Sequence, residues 1–178
     1  ADTPGFRPFV DSRVLHLPDA VDDVGGITGL ELFRATAAHC AAHLVYSHVA
    51  IASQELSPAQ MFFIGLIEDA RVEYCAVAEF PGLGRLWRTL LSLEHNSVPE
   101  HLTLAILEHA ALMLRDPAVG TNDTELAAII REFHLQIVHN RDNPQFSWHL
   151  GLQLFNLFAA RREVPSLRIL ENIRIPYR

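Results

Sequence analysis

Nothing in this sequence looks like a surface for nucleic acid. The formal net charge is −7 over 178 residues, and no lysine-rich or arginine-rich stripe occurs. The doublet Arg161–Arg162 is too small to neutralise a phosphate backbone, so direct nucleic-acid binding is not expected. Long apolar runs are missing too. No window approaches the ~20 apolar residues that cross a bilayer, and the run from Met61 to Ile67 is interrupted by Glu68 and Asp69. Cysteine is scarce: Cys40 and Cys75 can make one disulfide at most. Both lie in apolar, helix-forming segments, where a free buried thiol is the ordinary reading. That suits a reducing compartment such as the cytoplasm.

Familiar catalytic fingerprints are also missing. The sequence has no G-x-S-x-G, no P-loop and no dinucleotide-binding glycine pattern. It contains no internal repeat and no low-complexity segment. Period-two strand patterns are rare, with the closing "LRILENIRIPYR" as the one candidate. The opening "ADTPGFRPFV" lacks the charged and apolar regions of a signal peptide. It also lacks an initiator methionine, and "IPYR" is no obvious closing element, so the expectation is a piece of a longer protein.

What is present is a helical pattern. Hydrophobic residues make up 49% and charged residues 20%, the balance of a packed domain, and the length suits a single one. Residues 1–29 hold four of nine glycines and three of ten prolines and read as an irregular lead-in. Residues 30–178 then read as one all-α domain, a bundle of about six to seven helices. Thr28 with Glu31 forms a capping-box pattern ahead of a helix from Leu30 to about Ile51. Ser57 and Pro58 open a second helix that ends near Glu79, before Pro81 and Gly82. A third covers "LGRLWRTLLSLE". Ser97 and Pro99 open a fourth to about Asp116, and Asn122–Asp123 caps a fifth over about 124–139. Pro144 opens a sixth over about 145–162, and Pro165 a short last one. Wide apolar helix faces make contact with a partner or a second copy credible.

The candidate chemistry sits in "HCAAH", residues 39–43. Residues four apart share a helix face, so His39 and His43 can present two imidazoles to one point, a spacing that zinc-type sites exploit. Ala37, Ala38, Ala41 and Ala42 would let a second helix approach closely. That helix offers "IEDARVE", with Glu68, Asp69 and Glu73 as candidate carboxylate ligands beside Arg71. Antiparallel packing would place the histidines against these acids in a two-histidine, one-carboxylate site. The competing reading is a buried salt-bridge network around Arg71, with the histidines hydrogen-bonded to the acids. His134 and His139 lie on different faces. His95, His101 and His109 fall near helix ends or on solvent faces, and His48 is off the His39/His43 face. No Glu-x-x-His tetrad of a di-iron bundle occurs. Cys40 and His39 are adjacent and diverge by about 100° on a helix, which argues against a nucleophile pair. Trp87 and Trp148 read as core aromatics.

Several runs, "RVLHLPD", "FRATAAHCAAHLVYS", "LSPAQMFFIGLIEDARVE", "FPGLGRLW" and "LRILENIRIPYR", resemble the region ahead of the von Willebrand A domain in the NorD/CbbO family. The similarity spans about Arg13 to Arg178. It implies an accessory role, as the adaptor half of a pair with a MoxR-type AAA+ ATPase that activates a client enzyme, nitric oxide reductase or Rubisco. The D-x-S-x-S motif of a von Willebrand A domain does not occur here and would lie beyond Arg178. The same runs resemble, more distantly, zincin-type peptidases, with H-E-x-x-H on one helix and E-D-x-R-x-E on the next. That likeness implies one zinc or iron on His39, His43 and Glu68 or Asp69. The general-base glutamate falls on Cys40, and a thiol cannot activate water as a carboxylate does, so the resemblance implies a non-enzymatic domain. The alternatives are a hydrolase that uses Glu68 or Glu73 as base, and a pure scaffold.

Overall fold

Helix-start signals that act within three residues decide where most of the chain turns helical. The computed structural model describes residues 8–11, 14–23, 26–47, 55–94, 101–173, 175 and 177. Helix α1 (Gly29–Tyr46) opens on the full capping box of Thr28 and Glu31. Helix α2 (Pro58–Glu79) opens on Ser57, whose partner at the third position is Gln60, with Pro58 in the first turn. Each box satisfies amide N–H groups that the helix itself leaves unpaired. The other helices are α3 (Pro81–Glu94), α4 (Leu102–Arg115), α5 (Thr124–Gln136), α6 (Pro144–Ala160) and α7 (Leu167–Leu170), with a 3-10 turn at Ile137–His139. Asp123 caps α5 through the amide of Leu126, and Asn143 caps α6 through that of Gln145.

The all-α architecture is as expected; several boundaries differ. Helix α1 ends at Tyr46, with Ser47 as its cap, and the expected extension to Ile51 lies outside the described residues. Pro81 and Gly82 do not separate α2 from the next helix by a loop. They form the first turn of α3, where proline's fixed φ and missing N–H cost nothing. The break falls on Phe80 alone. Ser97 and Pro99 lie outside the described residues, and α4 is capped by His101, whose Nδ1 accepts the amide of Thr103 at 3.3 Å.

Within the lead-in, two three-residue strands, β1 (Phe9–Asp11) and β2 (Val14–His16), form an antiparallel hairpin with Phe9 opposite His16. The Phe9 and His16 rings stack at 4.2 Å. The strand candidate at 167–178 forms no strand among its described residues. Its start is α7, and turns follow at Glu171 and Asn172.

Helix α2 is the hub. It buries an unbroken run from Leu66 to Glu73, four of whose members are charged. Helix α6 lies so close that a Cβ on Gly151 would stand 2.4 Å from the Cα of Ile64; only glycine permits that approach. Phe63 is fully buried and packs edge-on against Phe155 and obliquely on Phe158. Trp87 of α3 is 1% exposed and donates its indole N–H to the Ala35 carbonyl of α1, so one aromatic fills core and satisfies its polar atom. No helix among the described residues is long and apolar enough to cross a membrane.

Candidate metal centre

Four buried charged side chains of α2 must each find a partner, because an unpaired buried charge is expensive. Glu68 faces Arg71 one turn on, which donates from Nε to Oε2 at 2.8 Å and from Nη2 to Oε1 at 2.6 Å. Ser147 of α6 and Ser47 at the end of α1 also donate to this carboxylate, at 2.7 and 2.6 Å. Arg71 also donates from Nη2 to the carbonyl of Tyr46, at 2.8 Å, and from Nη1 to that of Arg141. Glu73 is held by Arg115 of α4, through Nε on Oε2 and through Nη2 on Oε1 at 3.0 Å. Burial alone would raise both carboxyls. Arg71 and the two serines for Glu68, and Arg115 and His39 for Glu73, outweigh it and hold both below the usual carboxylate range.

Helices α1 and α2 run antiparallel, so His39 meets Glu73 while His43, one turn on, meets Asp69. His39 Nδ1 donates to Glu73 Oε1 at 2.8 Å. His43 Nδ1 lies 3.2 Å from Ser47 Oγ, whose own hydrogen goes to Glu68. The serine must therefore accept from His43. Both imidazoles thus carry a proton on Nδ1 and turn Nε2 toward one oxygen, Asp69 Oδ1, at 3.8 Å for His39 and 3.1 Å for His43. The rings stand edge-on, 4.8 Å between centroids.

Three donor atoms of His39, His43 and Asp69 lie within 4.8 Å of one another, a group that can hold a metal ion. Tetrahedral zinc with bonds of ~2.0–2.1 Å separates its donors by about 3.3 Å, close to both nitrogen–oxygen distances here. The surroundings fit as well. Metal-bound histidines usually donate the other ring N–H to a carboxylate or its relay, which fixes the tautomer. Glu73 does this directly for His39; Glu68 does it through Ser47 for His43.

Charge points the same way. Glu68, Asp69 and Glu73 set three negative charges against those of Arg71 and Arg115, leaving one negative charge among these described residues. A metal ion would neutralise it, and so would a proton on His43. Burial opposes protonation of His43, but the Asp69 hydrogen bond and the nearby carboxylates prevail and raise its pKa.

The five sequence-derived candidates are therefore brought into one cluster with different stations. His39, His43 and Asp69 converge on a point; Glu68 and Glu73 stand behind the imidazoles, each on a guanidinium. The salt-bridge network expected around Arg71 forms as well, through Glu68. Arg115, Ser47, Ser147 and Tyr177 were not foreseen. Tyr177 sits edge-on to His39 at 5.6 Å, with its hydroxyl 3.5 Å from Glu73 Oε2. A lone arginine closing the apolar run "LAILEHAALMLR" was the one available hint. Cys40 is buried, and burial and the charge of Asp69 push its thiol pKa up. Cys40 and Cys75 are both free. Of the other histidines, His134 Nε2 donates to the Met113 carbonyl and His109 Nε2 to that of Gly120; His48 and His95 lie outside the described residues.

Compared with known proteins, the chain matches no family model, no curated protein and no solved structure.

Proposed function

We propose that this chain is a non-enzymatic helical adaptor domain, built around a structural metal centre of one zinc or iron ion on His39, His43 and Asp69. The observation that carries the reading is the state of the carboxylates around that centre. Hydrolysis at such a metal needs a general base able to take a proton from water. The position next to His39 is a buried thiol, Cys40. Glu68 and Glu73 each accept two hydrogen bonds from an arginine and are held ionised, so neither is placed to shuttle a proton. What remains is a centre that fixes α1 against α2. The metal would add a cross-link there; Glu73 and Ser47 would orient its ligands.

The partner assignment rests on the resemblance of the "HCAAH" and "IEDARVE" runs to NorD/CbbO proteins. In that reading the domain works in the cytoplasm, where reduced Cys40 and Cys75 are at home, and binds a MoxR-type AAA+ ATPase or the client enzyme activated with it. Sedimentation of the purified chain with a MoxR-type ring, and with nitric oxide reductase or Rubisco, tests this. Saturable binding to one of them, with no metal-dependent cleavage of an unfolded protein, is the expected result. Absence of any binding, or cleavage lost in His39→Ala, would overturn it.

A further inference from the structure

A cavity of about 230 Å³ lies between α2, α3, α4 and α5, with Glu73 and Arg115 in its lining and neither His39 nor His43. It is smaller than the roughly 300–1,000 Å³ of drug-sized sites. Its walls are apolar, with Val77, Trp87 and Leu114 prominent. Its charged members are unbalanced: Arg88 and Arg115 against Glu73 alone. Arg115, 5% exposed at its side chain, is committed to Glu73. Arg88 is not comparably committed. Its contact with Asp116 is a stretched 3.9 Å, with the two side chains 43% and 33% exposed, and such pairs contribute little.

Gly84 completes the arrangement. A Cβ there would stand 3.1 Å from Val77 Cγ1 and 3.4 Å from Arg88 Nη1. The bare backbone thus lets Val77 and the Arg88 guanidinium close in over it, which brings the arginine against the apolar wall. That pairs one loosely held guanidinium with a small, largely apolar chamber.

We propose that this cavity binds a small organic monoanion, an apolar body carrying one carboxylate, with the body against Trp87 and Leu114 and the carboxylate on Arg88. A guanidinium suits the planar, two-oxygen geometry of a carboxylate. The site does not depend on the metal centre, and Arg88 has no part in holding the metal.

The test uses the whole chain in excess chelator, so that loss of metal and loss of this site stay distinct. Benzoate and uncharged benzyl alcohol serve as probes, titrated by calorimetry and by protein NMR. Benzoate binds saturably, about tenfold more tightly than benzyl alcohol, and Arg88→Gln removes that difference, as expected for one charged hydrogen bond. Gly84→Val, which would push Val77 and the Arg88 guanidinium out of place, weakens benzoate binding; if that variant fails to fold, Arg88→Gln alone decides. Equal binding of the two probes, indifference to Arg88→Gln, or no saturable binding of benzoate at millimolar concentration would each overturn the proposal.

Discussion

Glu73 stands directly behind His39. Its Oε1 accepts the Nδ1 proton at 2.8 Å, so the ring can turn only Nε2 toward Asp69. Because Arg115 grips the same carboxylate, a cation on α4 sets the tautomer of an imidazole on α1. The centre therefore reaches beyond the two helices that supply its donors.

Replacing both histidines by alanine should remove the metal. Elemental analysis of the purified chain is expected to give about one equivalent of zinc or iron, and the His39→Ala/His43→Ala variant essentially none. The variant should also lose roughly 1–3 kcal/mol of stability in urea, the usual scale for losing buried polar contacts. Undiminished metal in the variant would place the ion elsewhere.

Glu73→Gln separates orientation from ligation. The amide can still meet His39 but leaves Arg115 as a buried charge without its counterion. Breaking such a pair costs about 3–5 kcal/mol, read as a lower urea midpoint. Metal affinity should fall about 10- to 100-fold, as for other carboxylates behind a histidine ligand. Loss of stability with unchanged metal affinity would make Glu73 a partner of Arg115 only.

Metal binding should strengthen as pH rises across neutrality. Asp69 and its neighbours raise the His43 pKa above 6.5 despite burial. The proton that a metal must displace therefore persists to higher pH than on a free histidine. The converse holds for the metal-free chain. A raised folded pKa contributes stability that is full below 6.5 and is lost as pH rises through the folded value. Zinc titrations and urea midpoints across that range check both signs.

Asp123 controls the start of α5 and ties it to the end of α6. Its Oδ1 accepts the Leu126 amide at 3.1 Å, and Arg161 donates to both oxygens. The Arg161 bonds pull its pKa from 3.8 down to about 2. That stability is present above pH 3.8 and lost as pH falls through about 2. Asp123→Ala should cost about 0.5–2 kcal/mol through the lost cap. The difference from the parent chain should shrink in acid unfolding below pH 3.8.

Gly151→Ala should be disruptive out of proportion to one methyl group. The added carbon would meet the Ile64 backbone, at 2.4 Å from Cα and 2.8 Å from N, and backbone cannot rotate away as a side chain can. A loss of about 1–3 kcal/mol is expected from such overpacking, with α2 and α6 pushed apart. A neutral result would mean that the two helices can slide without penalty.

Sequence by itself determined most helix starts and the residues of the candidate site. Thr28 with Glu31, Ser57 with Pro58, Asp123, and Pro144 act over three or four residues, so they can be read along the chain. The four-residue spacing of His39 and His43, and of Asp69 and Glu73, likewise marks shared faces. Tertiary structure decided which charge meets which. Arg115 and Tyr177 reach Glu73 across 42 and 104 residues, and Ser147 reaches Glu68 across 79. No local period encodes such distances. The same holds for the hairpin of Phe9–Asp11 and Val14–His16, whose strands are too short to show an alternation. It holds also for 167–178, whose pattern alternates although its described residues form no strand. A strand is fixed by its neighbour; a helix carries its hydrogen bonds within itself.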